Sequence, residues 1–253
     1  MSTFDCNCCV GKLAVPLPGY IESAEELAGI MRQAGIDQAL VFHAESKEYH
    51  PAVGNRRLQD ELRGFPNLHA CWCVLPGQTK EMPPARELVE IMRQSGVRAA
   101  RVYPNTHNWS LSEWSCGDLL SALEEQAVPL FIDFEEASCD ALHSLCRNHP
   151  RLPVVLAGAP FRLSRMVYAL LAGTSNLYID TSQFQLHCGI EDLTLEFGAE
   201  RLLFGTFTPH FSPGPSVMAV KYARISDEEK GMIAGGNLRR LLDSAFSPGV
   251  QRS

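Results

Sequence analysis

A helix end, a glycine and a strand occur twice in this chain in nearly the same letters. Residues 30–42 read IMRQAGIDQALVF and residues 91–103 read IMRQSGVRAARVY. In each copy an amphipathic helix runs out at a glycine suited to a left-handed cap, and a β-rich run follows. The copies lie 61 residues apart, which is two β/α units of about thirty residues each. Eight units of that size use up a chain of 253 residues, the usual length of an eight-fold α/β barrel.

The other units can be found independently. Strand-like runs fall at Phe4–Cys8, Ala39–His43, His69–Leu75, Ala99–Tyr103, Leu130–Phe134, Val154–Ala157, Leu177–Thr181 and Leu202–Thr206. Most are short and apolar on both faces, as strands covered by helices must be. Helical periodicity fills the gaps. Ser23 and Glu26 make a capping box ahead of Leu27, Ile30, Met31 and Ala34, and Gly35 ends that helix. Pro83-Pro84 opens the helix of Leu88, Ile91 and Met92, and the stripe Leu142, Leu145, Cys146 stops near Pro150. Ser226 and Glu229 make a second capping box, and Gly235-Gly236 interrupts the last helix before Leu238, Leu241 and Leu242. Strict alternation also suits a doubly wound sheet, but no G-x-G-x-x-G follows the first strand. The expected fold is α/β, a (β/α)8 TIM barrel forming a single domain over residues 1–253.

Charge and cysteine content narrow the function classes. A formal charge of −7 offers neither nucleic acid nor an anionic membrane the dense Lys and Arg they attract. Polar residues interrupt every apolar run before ~18 residues, so no membrane span is expected. The N-terminus has neither a basic start nor an apolar core, and nine cysteines without a secretion signal suit reduced thiols in the cytoplasm.

Several phrases, in order over nearly the whole chain, resemble the amidohydrolase-related (amidohydrolase 2) family of metal-dependent hydrolases and decarboxylases. Phe197-Gly-Ala-Glu-Arg-Leu-Leu-Phe-Gly-Thr-Phe-Thr-Pro209 is similar to its F-G-x-x-R-L-L-F-G-[ST]-D-x-P last-strand signature. Ile233-Ala-Gly-Gly-Asn-Leu-Arg-Arg-Leu241 resembles its closing helix, and Leu177-Tyr-Ile-Asp-Thr-Ser182 its seventh strand. Phe4-Asp5-Cys6-Asn7-Cys8-Cys9-Val10-Gly11 is similar to its opening D-x-H-x-H-x-G. The resemblance implies a TIM barrel with a divalent metal at its C-terminal mouth. The ligands would be the H-x-H pair, a His ending strand five and an Asp ending strand eight, with a His at strand six moving protons.

At those positions this chain carries other residues. The H-x-H positions hold Asn7 and Cys9, the strand-five His position Asp133, the strand-six position Gly158 and the strand-eight Asp position Phe207. Phenylalanine cannot ligate a metal and glycine has no side chain to shuttle a proton. The primary expectation is therefore a barrel without the family's metal chemistry, needing no cofactor, that binds a small molecule or partner protein. A homo-oligomer is left open.

The alternative is a hydrolase or decarboxylase acting on a small carboxylate through a rewired mouth of Cys9, His43, Arg101 and Asp133. Zinc would use Cys9 and Asp133, with Asn7 a poor third ligand and His43 or His210 in support. A metal-free version would use Cys9 as thiolate, His43 as base and Asp133 as orienting acid. Asp133 is equally suited to pair with Arg101, and Cys9 to serve as a core filler. Alternation places Cys6 and Cys8 opposite Asn7 and Cys9, so these thiols and Cys71 and Cys73 read as buried structural groups rather than a cluster. Arg101 suits a bidentate grip on a carboxylate or phosphate. His107 and Trp109, in the long segment Tyr103–Trp114, together with His187 and His210, complete the expected substrate-binding set.

Overall fold

The computed structural model describes residues 2–15 and 20–247; the expected domain bounds, 1–253, reach past these at both ends. Each expected strand run forms a parallel strand. They are β1 (Phe4–Val10), β2 (Gln38–His43), β3 (Leu68–Ala70), β4 (Trp72–Cys73), β5 (Ala100–Val102), β6 (Leu130–Asp133), β7 (Val154–Ala157), β8 (Leu177–Asp180) and β9 (Leu202–Leu203). The third run is one stave that bonds a neighbour on each side. Cys71 N donates to Val41 O at 2.8 Å, on the β2 side, while Trp72 N donates to Ala99 O at 3.1 Å, on the β5 side. β3 and β4 are thus two halves of one stave, joining β1-β2-β3 to β4 through β9. The ring closes where Cys6 N donates to Phe204 O and Cys9 N to Thr208 O, both at 2.8 Å. The result is the (β/α)8 TIM barrel.

The eighth stave is shorter than its sequence run. β9 stops at Leu203, and Gly205 then passes so close to β8 that a Cβ there would lie 3.0 Å from Asp180 Oδ2. Thr206 leaves the ladder to bond Asp5 instead, donating its N–H at 3.0 Å and its hydroxyl at 2.5 Å.

The helices are α1 (Ala24–Ala34), α2 (Ala44–Glu48), α3 (Pro51–Glu61), α4 (Ala85–Gln94), α5 (Glu113–Glu125), α6 (Cys139–Asn148), α7 (Ser164–Gly173), α8 (Gly189–Phe197), α9 (Gly214–Tyr222), α10 (Asp227–Gly231) and α11 (Asn237–Ser244). Both capping boxes form, Ser23 with Glu26 and Ser226 with Glu229. The repeat is structural: Gly35 ends α1 before β2 and Gly96 follows α4 before β5, each at φ 71°. Between α10 and α11 the chain makes a wide turn kinked at Gly235, where a Cβ would meet Ser2 O at 2.9 Å and Phe4 Cβ at 3.0 Å. That close approach seats α11 under the barrel.

Two apolar layers result from strand alternation. Outward residues such as Val41, Val102, Ile132, Leu156 and Ile179 pack under the helices. Inward residues, among them Phe4, Leu40, Phe42, Phe131, Val155 and Leu203, fill the barrel, which Leu238, Leu241 and Leu242 of α11 seal at its N-terminal end. The C-terminal end is left for polar groups.

Candidate active site

The first strand does not alternate as expected. Its register against β2 shifts between Asp5 and Cys8, and such a bulge places successive residues on one side. Cys6 therefore joins Cys9 in the inner layer while Cys8 packs outward, which corrects the expectation that Cys6 and Cys8 share a face. Asn7 also turns inward, where its amide Nδ2 donates to Asp180 Oδ2 at 2.7 Å and its Oδ1 accepts from Arg101 Nη2 at 2.9 Å.

Arg101 is the centre of the inward polar groups and only 1% exposed. It reaches this position from β5, where alternation turns it inward between Ala100 and Val102. Its guanidinium lies over the Phe42 ring at 4.2 Å and near Phe131 at 5.6 Å. Nη1 lies 3.4 Å from Asp133 Oδ1 and 3.5 Å from the Tyr103 hydroxyl. The Asp133 contact is close enough for charge attraction but is not aligned as a hydrogen bond, so Arg101 Nε and Asp133 Oδ1 both stay buried without a hydrogen-bond partner. Burial is the largest single influence and works against the guanidinium's charge, but Asp133, Tyr103 and Cys71 together outweigh it and hold the group above its ordinary range.

Above Asp133, α2 crosses the mouth. Lys47 Nζ lies 3.6 Å from Asp133 Oδ2, 3.8 Å from Glu136 Oε1 and 4.8 Å from the centre of the Tyr103 ring. Glu136 is oriented by Thr106, whose N–H and hydroxyl donate to it at 2.9 and 2.6 Å. His107 Nε2 bonds the Lys47 carbonyl at 2.9 Å, pinning α2 to the loop after β5. Asp133 is therefore shared between a cation below and a cation above. On the far side, Asp180 accepts from Gly158 N, Ser182 N and Ser182 Oγ. Burial raises its pKa despite these bonds.

Among the residues expected to form a site, Asn7, Arg101 and Asp133 come together. Cys9 faces the same interior, but its thiol is hydrogen-bonded by the Tyr20 hydroxyl at 3.5 Å and burial pushes its pKa up to about 12. His43 faces the other way: its Nδ1 accepts from Glu45 N at 3.2 Å, and its ring lies against Gly11, where a Cβ would be 2.4 Å from Cε1. Burial lowers the pKa of that imidazole. The structure therefore pairs Cys9 with Tyr20 rather than with His43. His210 packs on Tyr20 and on Phe207, at centroid distances of 5.7 and 4.6 Å, beside the mouth. His187 is exposed on the loop between β8 and α8 and makes no contact with the polar centre. Gly158, at φ 66°, uses its backbone N–H on Asp180.

Asp180, Lys47, Tyr103 and Glu136 were not among the expected site residues. Asp180 had a readable signal, since Tyr178 and Asp180 lie two apart on a strand. Lys47 had none beyond its place in the run Ser46–His50.

Beside the mouth, the loop after β5 forms one wall of a cleft of about 850 Å³ lined by Asn105, Asn108, Trp109, Trp114, Glu136 and Ser138. A smaller cleft of about 270 Å³ adjoins it, with His107 and both tryptophans in its wall. Among the described residues no group of three or more His, Cys, Asp or Glu side chains is arranged to hold a metal ion. Nor, among them, is any helix long and apolar enough to cross a membrane.

Parallel staves, a sealed N-terminal end and polar groups gathered at the C-terminal end define a TIM-barrel protein whose functional face is the one enzymes of this fold use. The chain belongs to the Amidohydrolase family, whose profile matches residues 19–243. Three solved structures show the same fold. An uncharacterized TIM-barrel protein from Bordetella bronchiseptica has a TM-score of 0.74 at 17% identity, covering 98% of this chain and 100% of its own. The 5-carboxyvanillate decarboxylase from Sphingomonas paucimobilis has a TM-score of 0.74 at 17% identity, covering 96% and 99%. A 5-carboxyvanillate decarboxylase from Novosphingobium aromaticivorans, with manganese bound, has a TM-score of 0.76 at 12% identity, covering 96% and 97%. No curated protein matches the chain in sequence.

Proposed function

We propose that this chain is a metal-independent amidohydrolase-family barrel that binds a small molecule at its C-terminal face and does not carry out metal-assisted hydrolysis or decarboxylation. The observation behind this reading is the Arg101 guanidinium, 2.9 Å from Asn7 Oδ1 and 3.4 Å from Asp133 Oδ1. A divalent cation between those two acceptors would meet a fixed positive charge within a few ångströms, in a low-dielectric interior where like charges repel strongly. The other donors are equally unsuited. The Cys9 thiol is already engaged by the Tyr20 hydroxyl at 3.5 Å. Phe207 has no lone pair to offer, and Gly158 has no side chain. These residues do not fit a divalent metal.

The small molecule would enter beside the closed mouth, in the 850 Å³ cleft, where Trp109 and Trp114 supply aromatic surface and Asn105, Asn108 and Ser138 supply hydrogen-bonding groups. In the alternative, a site built on Cys9, His43, Arg101 and Asp133, Arg101 and Asp133 do meet, but the base is missing because His43 faces away from the barrel axis.

The test is metal content, followed by an assay. Protein made without added metal should hold well under one transition metal per chain. With manganese supplied it should not turn over 5-carboxyvanillate or 2,6-dihydroxybenzoate. One tightly held metal per chain together with turnover would overturn the reading.

A further inference from the structure

We infer that Arg101 and Lys47 together replace a divalent cation at the C-terminal end of this barrel, as two tethered single charges that share Asp133. The inference rests on the metal-independent reading and says what took the metal's place. A cation at the centre of a barrel draws inward acceptors from several strands to one point. Arg101 does this with its own side chain: it bonds Asn7 of β1, faces Asp133 of β6 and, through the Asn7 amide, is linked to Asp180 of β8. Its own stem comes from β5, so four strands are tied together. Asn7 accepts from one guanidinium nitrogen and donates on to Asp180, so the arginine is connected to a second carboxylate besides Asp133.

Lys47 completes the replacement from the solvent side. Its ammonium reaches the second oxygen of the same Asp133, 3.6 Å away, while Arg101 is near the first. Each oxygen of that carboxylate thus faces one positive charge, and the two cations together carry the charge of one divalent ion. The cations are held apart by the carboxylate and kept in place by separate devices. Phe42 and Phe131 pack against the guanidinium, whereas the Tyr103 ring, Glu136 and the His107 bond to the Lys47 carbonyl fix the lysine.

The inference makes charge balance, rather than packing, the reason for Arg101. Thermal unfolding of the full chain tests this with Arg101→Met, Asp133→Asn and the double variant. Removing the guanidinium leaves Asp133 buried with half its compensation, so Arg101→Met should lower Tm by about 10 °C. Neutralising Asp133 in that background should restore at least half of the loss. If the double variant melts no higher than Arg101→Met, the guanidinium is only filling space and the inference fails. Should Arg101→Met not fold, the pair Arg101→Lys and Arg101→Gln decides: the inference requires the charged variant to melt higher, and equal or reversed order overturns it. A wild-type Tm that rises with manganese or zinc would instead strike down the metal-independent reading beneath it. A wild type indifferent to both metals, with no rescue by Asp133→Asn, would remove the inference alone.

Discussion

Asp5 shows how much of this protein is decided by single side chains that no spacing rule connects. It is fully buried at the β1–β9 seam, accepts from Thr206 and from Asn7 N, and burial raises its pKa from an ordinary 3.8 to about 6. The folded state therefore favours its protonated form. The stability this contributes is complete below about pH 4, is lost as pH rises toward 6, and does not change further above that. Urea unfolding of wild type and Asp5→Asn across pH 4–7 should show the wild type losing about 2 kcal/mol relative to the variant over that window. A constant difference would mean that Asp5 is ionised throughout. The residues at the family positions, Asn7, Cys9, Asp133, Gly158 and Phe207, could be read directly from the sequence, and a pairing of Asp133 with Arg101 was among the readings it left open. The relation of Asn7 to Asp180 could not. They are 173 positions apart, and neither residue type names the other across the barrel.

Among the elements, α2 has the most functional weight for its length. It is five residues long and carries the lysine that covers the mouth, so its position depends on what lies behind it. That is α3, whose Gly54 approaches so closely that a Cβ would lie 2.3 Å from Ser46 N and 2.7 Å from Ser46 Cα. These are backbone atoms and cannot swing aside. Gly54→Ala should push α2 outward, cost about 1–3 kcal/mol in denaturant unfolding, and make Lys47 more reactive toward amine-labelling reagents read by mass spectrometry. Unchanged stability and labelling would show that α2 is not braced by α3. Capping boxes, cap glycines and most strand cores were legible at this scale because each is a local signal. The meeting of β1 with the eighth stave was not, because Cys6 bonds Phe204 from the far end of the chain.

At the scale of the molecule, the barrel is closed unevenly. β6, β7 and β8 share continuous ladders of three or four registered pairs, whereas β1 and the end of the β9 stave meet through two backbone bonds and the Asp5–Thr206 contacts. Opening should therefore begin at that seam. Hydrogen exchange followed by mass spectrometry should show the amides of Cys6 and Cys9 exchanging before those of Ile132 and Leu156. The reverse order would place the weak seam elsewhere. The periodic repeat made the barrel legible because every unit obeys the same local rules, but the seam is where first and last units meet, and nothing local describes it.

The guanidinium at the barrel's centre is covalently part of the chain. A bound ion can be stripped by a chelator, exchanged for a wrong metal or run short when supply fails. A side chain arrives with every copy translated, at fixed stoichiometry, and cannot be withdrawn. On the metal-independent reading proposed above, cells that make this protein would need no metallation step to complete its core, and a change in metal supply would not switch it on or off.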